Sequence, residues 1–159
     1  MARTLILLRH AKSAWPKQTL DADRPLAPRG LRDASAAGRW LGEHAPRIDL
    51  VVCSTAIRAV QTWELAAAEL AKKPRVRHDE CLYEASAQEL LTTTVELPSN
   101  IATALLVGHN PGLENLLTVL TGIAKPFKTS TIAVLRSLES WQQSRSGWWS
   151  LEALTTTRG

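Results

Sequence analysis

Cysteine is scarce in this chain: Cys53 and Cys81 are the only two in 159 residues, without CxxC spacing and outside any Cys/His cluster. That pattern excludes a disulfide framework and a zinc site, and reads as two free thiols in a reducing cytoplasm. No apolar run approaches the ~18 residues that a membrane-spanning helix needs. The run from Leu5 to Leu8 is also far shorter than the ~7–15-residue core of a secretion signal, so neither a membrane nor export is expected. Phe and Tyr occur once each, and Lys and Arg are scattered apart from "KKPRVR". The net charge of +4 therefore points to an anionic ligand or a solvated surface rather than to nucleic acid. Carboxylates form no cluster suited to a metal, so no metal and no cofactor is expected.

What the chain does have is alternation. "TLILL", "DLVVCS" and "TALLVGH" are short apolar runs suited to strands buried on both faces. Between them, "PRGLRDASAAGRWLGEH" repeats Leu31, Ala34, Ala37 or Gly38, and Leu41 at helical spacing. "TAIRAVQTWELAAAELA" reads as a second helix with Ser54 or Thr55 as N-cap, stopped by Pro74. "RVRH" follows as a short edge strand, and "SAQELLTTTVEL" as a helix opened by a Ser86/Glu89 capping box. "NPGLENLLTVLTG" is a helix with Asn110 able to cap and Pro111 at its first position. "STIAVLRSL" and "GWWSLEAL" close the chain as strands, the first offering an apolar edge for pairing between chains. The order β-α-β-α-β-α-β-α-β-β predicts an α/β fold: a three-layer helix-sheet-helix arrangement with a mostly parallel central sheet. With no repeat and no linker, residues 1–159 are expected to form one domain.

Open parallel sheets bind ligands beyond the carboxyl ends of their strands. Here the first strand delivers Arg9 and His10 to that edge, the second Ser54 and Thr55, and "TALLVGH" delivers His109. Arg58 lies in the first turn of the following helix, whose side chains lean back toward the same edge. Guanidinium forks match phosphate oxygens, helix N-termini favour anions, and an imidazole serves as nucleophile or clamp. The combination suits phosphoryl transfer without a metal.

These motifs, "LRHAKS", "DADRPLAPRG", "CSTAIRAVQT" and "LLVGHNPG", resemble the histidine phosphatase (phosphoglycerate mutase-like) superfamily, and within it the short SixA-type phosphohistidine phosphatase branch. The resemblance runs over roughly residues 4–122. It implies a phosphoglycerate mutase-like fold and a hydrolase acting through a phosphohistidine intermediate. It further implies His10 as nucleophile, Arg9 and Arg58 as phosphate-binding residues, and His109 as the second pocket histidine. Ala11 stands where many members have glycine. Ser13 and Ser54 are further candidates for hydroxyl contacts with phosphate, or simply satisfy turn and cap groups.

The family usually adds an acidic general acid, and Glu84 in "CLYEAS" is the place to look. An alkoxide leaving group needs such an acid far more than an imidazole of pKa near ~6.5. The chain has no room for a large lid insertion, which favours a phosphohistidine presented by a protein partner. The alternatives are a phosphatase of small or broad-range phosphate monoesters, and a module that binds phosphorylated partners without turnover. Asp23 and Arg24 are expected to hold the loop by a salt bridge. Trp15 belongs either to the substrate rim or to the core, and one of Trp148 and Trp149 to the core. His44 and His78 read as surface residues.

Overall fold

A computed structural model describes residues 2–159. Its elements, in chain order, are β1 (Arg3–Arg9), α1 (Pro28–His44), β2 (Leu50–Cys53), α2 (Ile57–Ala68), β3 (Arg75–His78), α3 (Ala87–Val95), β4 (Thr103–Gly108), α4 (Gly112–Thr121), β5 (Thr131–Ser137) and β6 (Ser150–Thr156). The sheet order is β3-β2-β4-β1-β5-β6. The first four of these strands run parallel, and β5 and β6 are added antiparallel.

Alternate residues of a strand face opposite sides, so a strand that is apolar throughout feeds two cores. Leu5 and Leu7 join α3 and α4 through Leu90, Leu113, Leu116 and Leu120. Ile6 and Leu8 join α1 and α2 through Ala37, Leu41, Ala59 and Trp63. The result is the expected three-layer α/β architecture, with no large insertion over the sheet edge.

Local details depart from expectation where tertiary packing competes with local pattern. Leu31 is exposed, because the buried stripe of α1 runs through Ala34, Ala37, Gly38 and Leu41 instead. Helix α2 has no side-chain cap at its N-cap, Ala56. Ser54 reaches the Ala56 N–H at 3.3 Å but is committed mainly to the site described below. Pro111 is the N-cap of α4 rather than its first helical residue, while Asn110 Oδ1 accepts from Glu114 N at 3.3 Å. The Ser86/Glu89 capping box forms as expected. Trp148 and Trp149 precede β6; Trp149 is buried and Trp148 is not. The segment "STIAVL" offers no free edge, because β5 is paired on both sides, with β1 and β6.

Two glycines set close approaches that shape the site. A Cβ on Gly30 would lie 2.0 Å from the Lys12 carbonyl oxygen, so this residue lets the loop after β1 lie on α1. A Cβ on Gly112 would lie 2.1 Å from the Ala85 carbonyl oxygen, so this one admits the loop bearing Tyr83 and Glu84 against α4.

Candidate active site

The register of the parallel strands brings three chain exits together. His10 N donates to Gly108 O at 3.2 Å, and Ser54 N donates to Val107 O at 3.0 Å. Because β4 lies between β2 and β1, His109 emerges between Ser54 and His10. The two imidazole centroids are 5.2 Å apart, tilted by 53°.

His10 is 7% exposed, and its Nδ1 lies 2.8 Å from the Ala11 carbonyl oxygen. A carbonyl only accepts, so Nδ1 carries the proton. Burial pushes the His10 pKa down to about 3, and the ring is neutral at any ordinary pH. Neutral with Nδ1–H fixed, the ring keeps its lone pair on Nε2. That is the state a nucleophile needs.

His109 Nε2 lies 2.7 Å from Ser54 Oγ. Ser54 Oγ already accepts from Ala56 N, and its hydroxyl hydrogen is best used on His109 Nε2. This pairing assigns the His109 proton to Nδ1, a buried atom with no partner among the described residues. Burial, followed by the Arg58 charge, lowers the His109 pKa to about 4. The Tyr83 ring meets His109 edge-on at 5.6 Å.

Both arginines are held from behind. Arg9 Nη1 donates to Phe127 O at 2.7 Å, and Asn110 Nδ2 donates to the same oxygen at 2.8 Å. Glu114 Oε1 accepts from Phe127 N at 2.8 Å, which pins this segment to the first turn of α4. Arg58 Nη1 donates to Asp21 O at 2.7 Å and Nη2 to Asp21 Oδ2 at 3.1 Å.

Asp21 is the residue that sequence reasoning missed. Its carboxylate also accepts from Arg24 Nη1 at 2.8 Å and from the Tyr83 hydroxyl. The expected Asp23–Arg24 bridge is therefore an Asp21–Arg24 bridge. Residues 21–23 form a 3-10 turn, where i and i+3 eclipse, so Asp21 faces Arg24 while Asp23 points to solvent. The spacing in "DADR" carried this signal. The Tyr83 hydroxyl, then Arg24 and Arg58, hold the Asp21 carboxyl well below the usual carboxylate range. Reciprocally, the Asp21 bond pushes the Tyr83 hydroxyl up to about 12.

Together these groups line a pocket of about 270 Å³. Arg9, His10, Ser13, Arg58 and His109 all contribute to its wall, as do Lys12 and Asn110, which the sequence had not marked as ligand contacts. Ser13 Oγ is hydrogen-bonded to Arg24 Nη2. Ser54 reaches the site only through His109. Trp15 is exposed at the rim, with its ring against Arg24. Glu84 lies outside this wall: it is exposed, with φ of 53°, one residue beyond Tyr83.

His10 and His109 should therefore remain neutral under mild acid. Their carbon-bound ring protons, followed by NMR, should hold nearly constant shifts from pH 8 to 5, where an ordinary imidazole titrates near ~6.5. Above ~6.5 both folded and unfolded states hold neutral rings, and no linkage arises. As pH falls from there toward about 4 and about 3, only the unfolded chain takes up these protons, so stability decreases with acid. A midpoint near 6.5 for either ring, on the ordinary scale, would contradict the burial argument.

Comparison with known proteins agrees with this geometry. The family model described as "Histidine phosphatase superfamily (branch 1)" matches residues 5–123. The chain belongs to this superfamily, and it is a phosphatase of the histidine-phosphatase type. An uncharacterized protein of Mycobacterium tuberculosis is 40% identical over 151 residues, covering 88% of this chain and 93% of the relative. Among solved structures, a proposed phosphohistidine phosphatase SixA of Nakamurella multipartitia is 32% identical. It aligns over 99% of this chain and 97% of its own, with a TM-score of 0.85. The corresponding proposed SixA of Agrobacterium tumefaciens is 27% identical over 96% of this chain and 97% of its own, with a TM-score of 0.83.

Proposed function

We propose that this protein removes the phosphoryl group from phosphohistidine on a protein partner, through a covalent intermediate on His10. The observation that carries the reading is the make-up of the pocket wall, which combines two neutral imidazoles with Arg9, Lys12, Arg24 and Arg58 and has no carboxylate. Such a wall binds and transfers a phosphoryl group but has no carboxylic acid to protonate an alkoxide. An imidazole that takes a proton from solvent on its other ring nitrogen departs as a neutral ring whose conjugate acid has a pKa near ~6.5, and needs little such help.

In the first step the Nε2 lone pair of His10 forms a bond to phosphorus. The substrate's P–N bond breaks as solvent delivers a proton to the other nitrogen of that ring, so the electron pair stays on a leaving group that departs as neutral imidazole. Arg9 and Arg58 bind the oxygens of the transferring group, with His109 beside them. Buried Arg9 Nε and His109 Nδ1, which lack protein acceptors among the described residues, are donors that an oxyanion would satisfy. Water then attacks phosphorus, the P–Nε2 bond breaks, and its pair returns to His10 as orthophosphate departs. Positioning and electrostatics provide most of the acceleration in such a reaction. The absence of a large lid and the names of the two SixA structures favour a side chain presented by a partner over an enclosed metabolite.

A phosphohistidine-bearing protein domain and an aryl phosphate, each at limiting concentration, test the reading. The expected result is at least tenfold higher kcat/KM for phosphohistidine, with Glu84→Gln within about threefold of wild type on that substrate. If only the ester turns over, and Glu84→Gln cripples it, the substrate is an alcohol phosphate and the proposal fails.

A further inference from the structure

We propose that Trp15 is a specificity-determining residue of this pocket, whose open indole face stacks on the flat ring of the substrate's leaving group. The inference rests on the phosphatase reading above and adds what recognises the part of the substrate beyond phosphorus.

Trp15 is 75% exposed, yet it is not free. The Arg24 Cζ lies 3.2 Å from its ring centroid, so one face of the indole is covered by a guanidinium. That guanidinium is buried, at 7% exposure, and is fixed on three sides. Its Nε donates to Ala14 O at 3.0 Å, its Nη1 to Asp21 Oδ1 at 2.8 Å, and its Nη2 to Ser13 Oγ. A large apolar side chain left in water is ordinarily mobile. Here a buried cation, hydrogen-bonded through all three of its nitrogens, fixes one in place at the mouth of an anion pocket.

The open face has a definite preference. Arg24 already occupies one face of the π-system, and a second cation on the other would be repelled by it. A neutral flat ring in offset stacking suits that face better. The pocket of about 270 Å³ exceeds a phosphoryl group, so whatever carries the phosphorus lies against the remaining wall, of which Trp15 is part. An N-phosphorylated imidazole or an aryl phosphate meets these conditions; an alkyl phosphate does not.

The test compares kcat/KM for an aryl phosphate and for glycerol phosphate, together with the inhibition constant of orthophosphate, in wild type, Trp15→Ala, Trp15→Leu and Trp15→Phe. The expected result is a fall of at least tenfold in the aryl-to-alkyl ratio for Ala and Leu, carried by KM. Phe should restore most of the ratio, and orthophosphate inhibition should shift less than threefold throughout. An unchanged ratio would overturn the proposal. So would a parallel loss of orthophosphate inhibition, which would make Trp15 a brace for Arg24 and the Asp21 network. If wild type cleaves aryl phosphate but not phosphohistidine, the proposed physiological substrate fails while the aryl-to-alkyl ratio still decides the role of Trp15.

Discussion

Replacing His10 with alanine is expected to lower kcat/KM by about 10⁴-fold or more, equivalent to roughly 5.5 kcal/mol of transition-state stabilisation. The structure presents His10 as a neutral ring with its Nδ1–H fixed on Ala11 O and Nε2 free to bond. Of the two imidazoles in the pocket wall, His109 has its Nε2 engaged with Ser54, which leaves His10 as the ring with a free lone pair. Covalent catalysis splits one difficult displacement into two easier ones, so losing the nucleophile removes the route rather than slowing it. The check is twofold: steady-state turnover, and trapping of an acid-labile phosphoryl label on wild type that His10→Ala lacks. A variant within tenfold of wild type, or one that still accepts the label, would end the assignment. It would also revive the phosphate-binding module that does not turn its ligand over.

Arg58→Ala should be the second most damaging change, with a loss of about 10²–10³-fold in kcat/KM, the usual scale for one preorganised donor to a developing charge. Its guanidinium is 7% exposed and is oriented by two bonds to Asp21, so it meets an oxyanion without reorganising. Arg58→Lys should recover little, because an ammonium cannot hold Asp21 and a phosphate oxygen in one planar fork. Asp21→Asn keeps the shape and one acceptor but removes the charge, and should cost about tenfold through misplacement of Arg58. Stability should suffer less than activity, since the Asp21 side chain is 42% exposed and its ion pairs are partly solvated. Orthophosphate inhibition should weaken in the order Asp21→Asn, then Arg58→Ala. If Arg58→Lys stays within threefold of wild type, bidentate geometry is not what this position supplies.

The element order and the strand-exit residues Arg9, His10, Ser54 and His109 were legible in the sequence, because they depend on local patterns. Apolar runs of strand length, helical spacing and the Ser86/Glu89 box each act over fewer than about ten residues. Arg58 was legible too, from its place in the first turn of the helix that follows the second strand, and the family motifs agreed. What local pattern cannot express is which strands become neighbours. Only the pairing of β4 between β1 and β2 puts His109 beside His10 and Ser54, and only the pairing of β5 on both sides removes the free edge that "STIAVL" offered. The same holds for Asp21, whose partners Arg24, Arg58 and Tyr83 include one 62 residues away. Protonation states were settled latest of all. They follow from burial and from acceptors such as the Ala11 carbonyl, and a side chain acquires both only when the chain is folded around it.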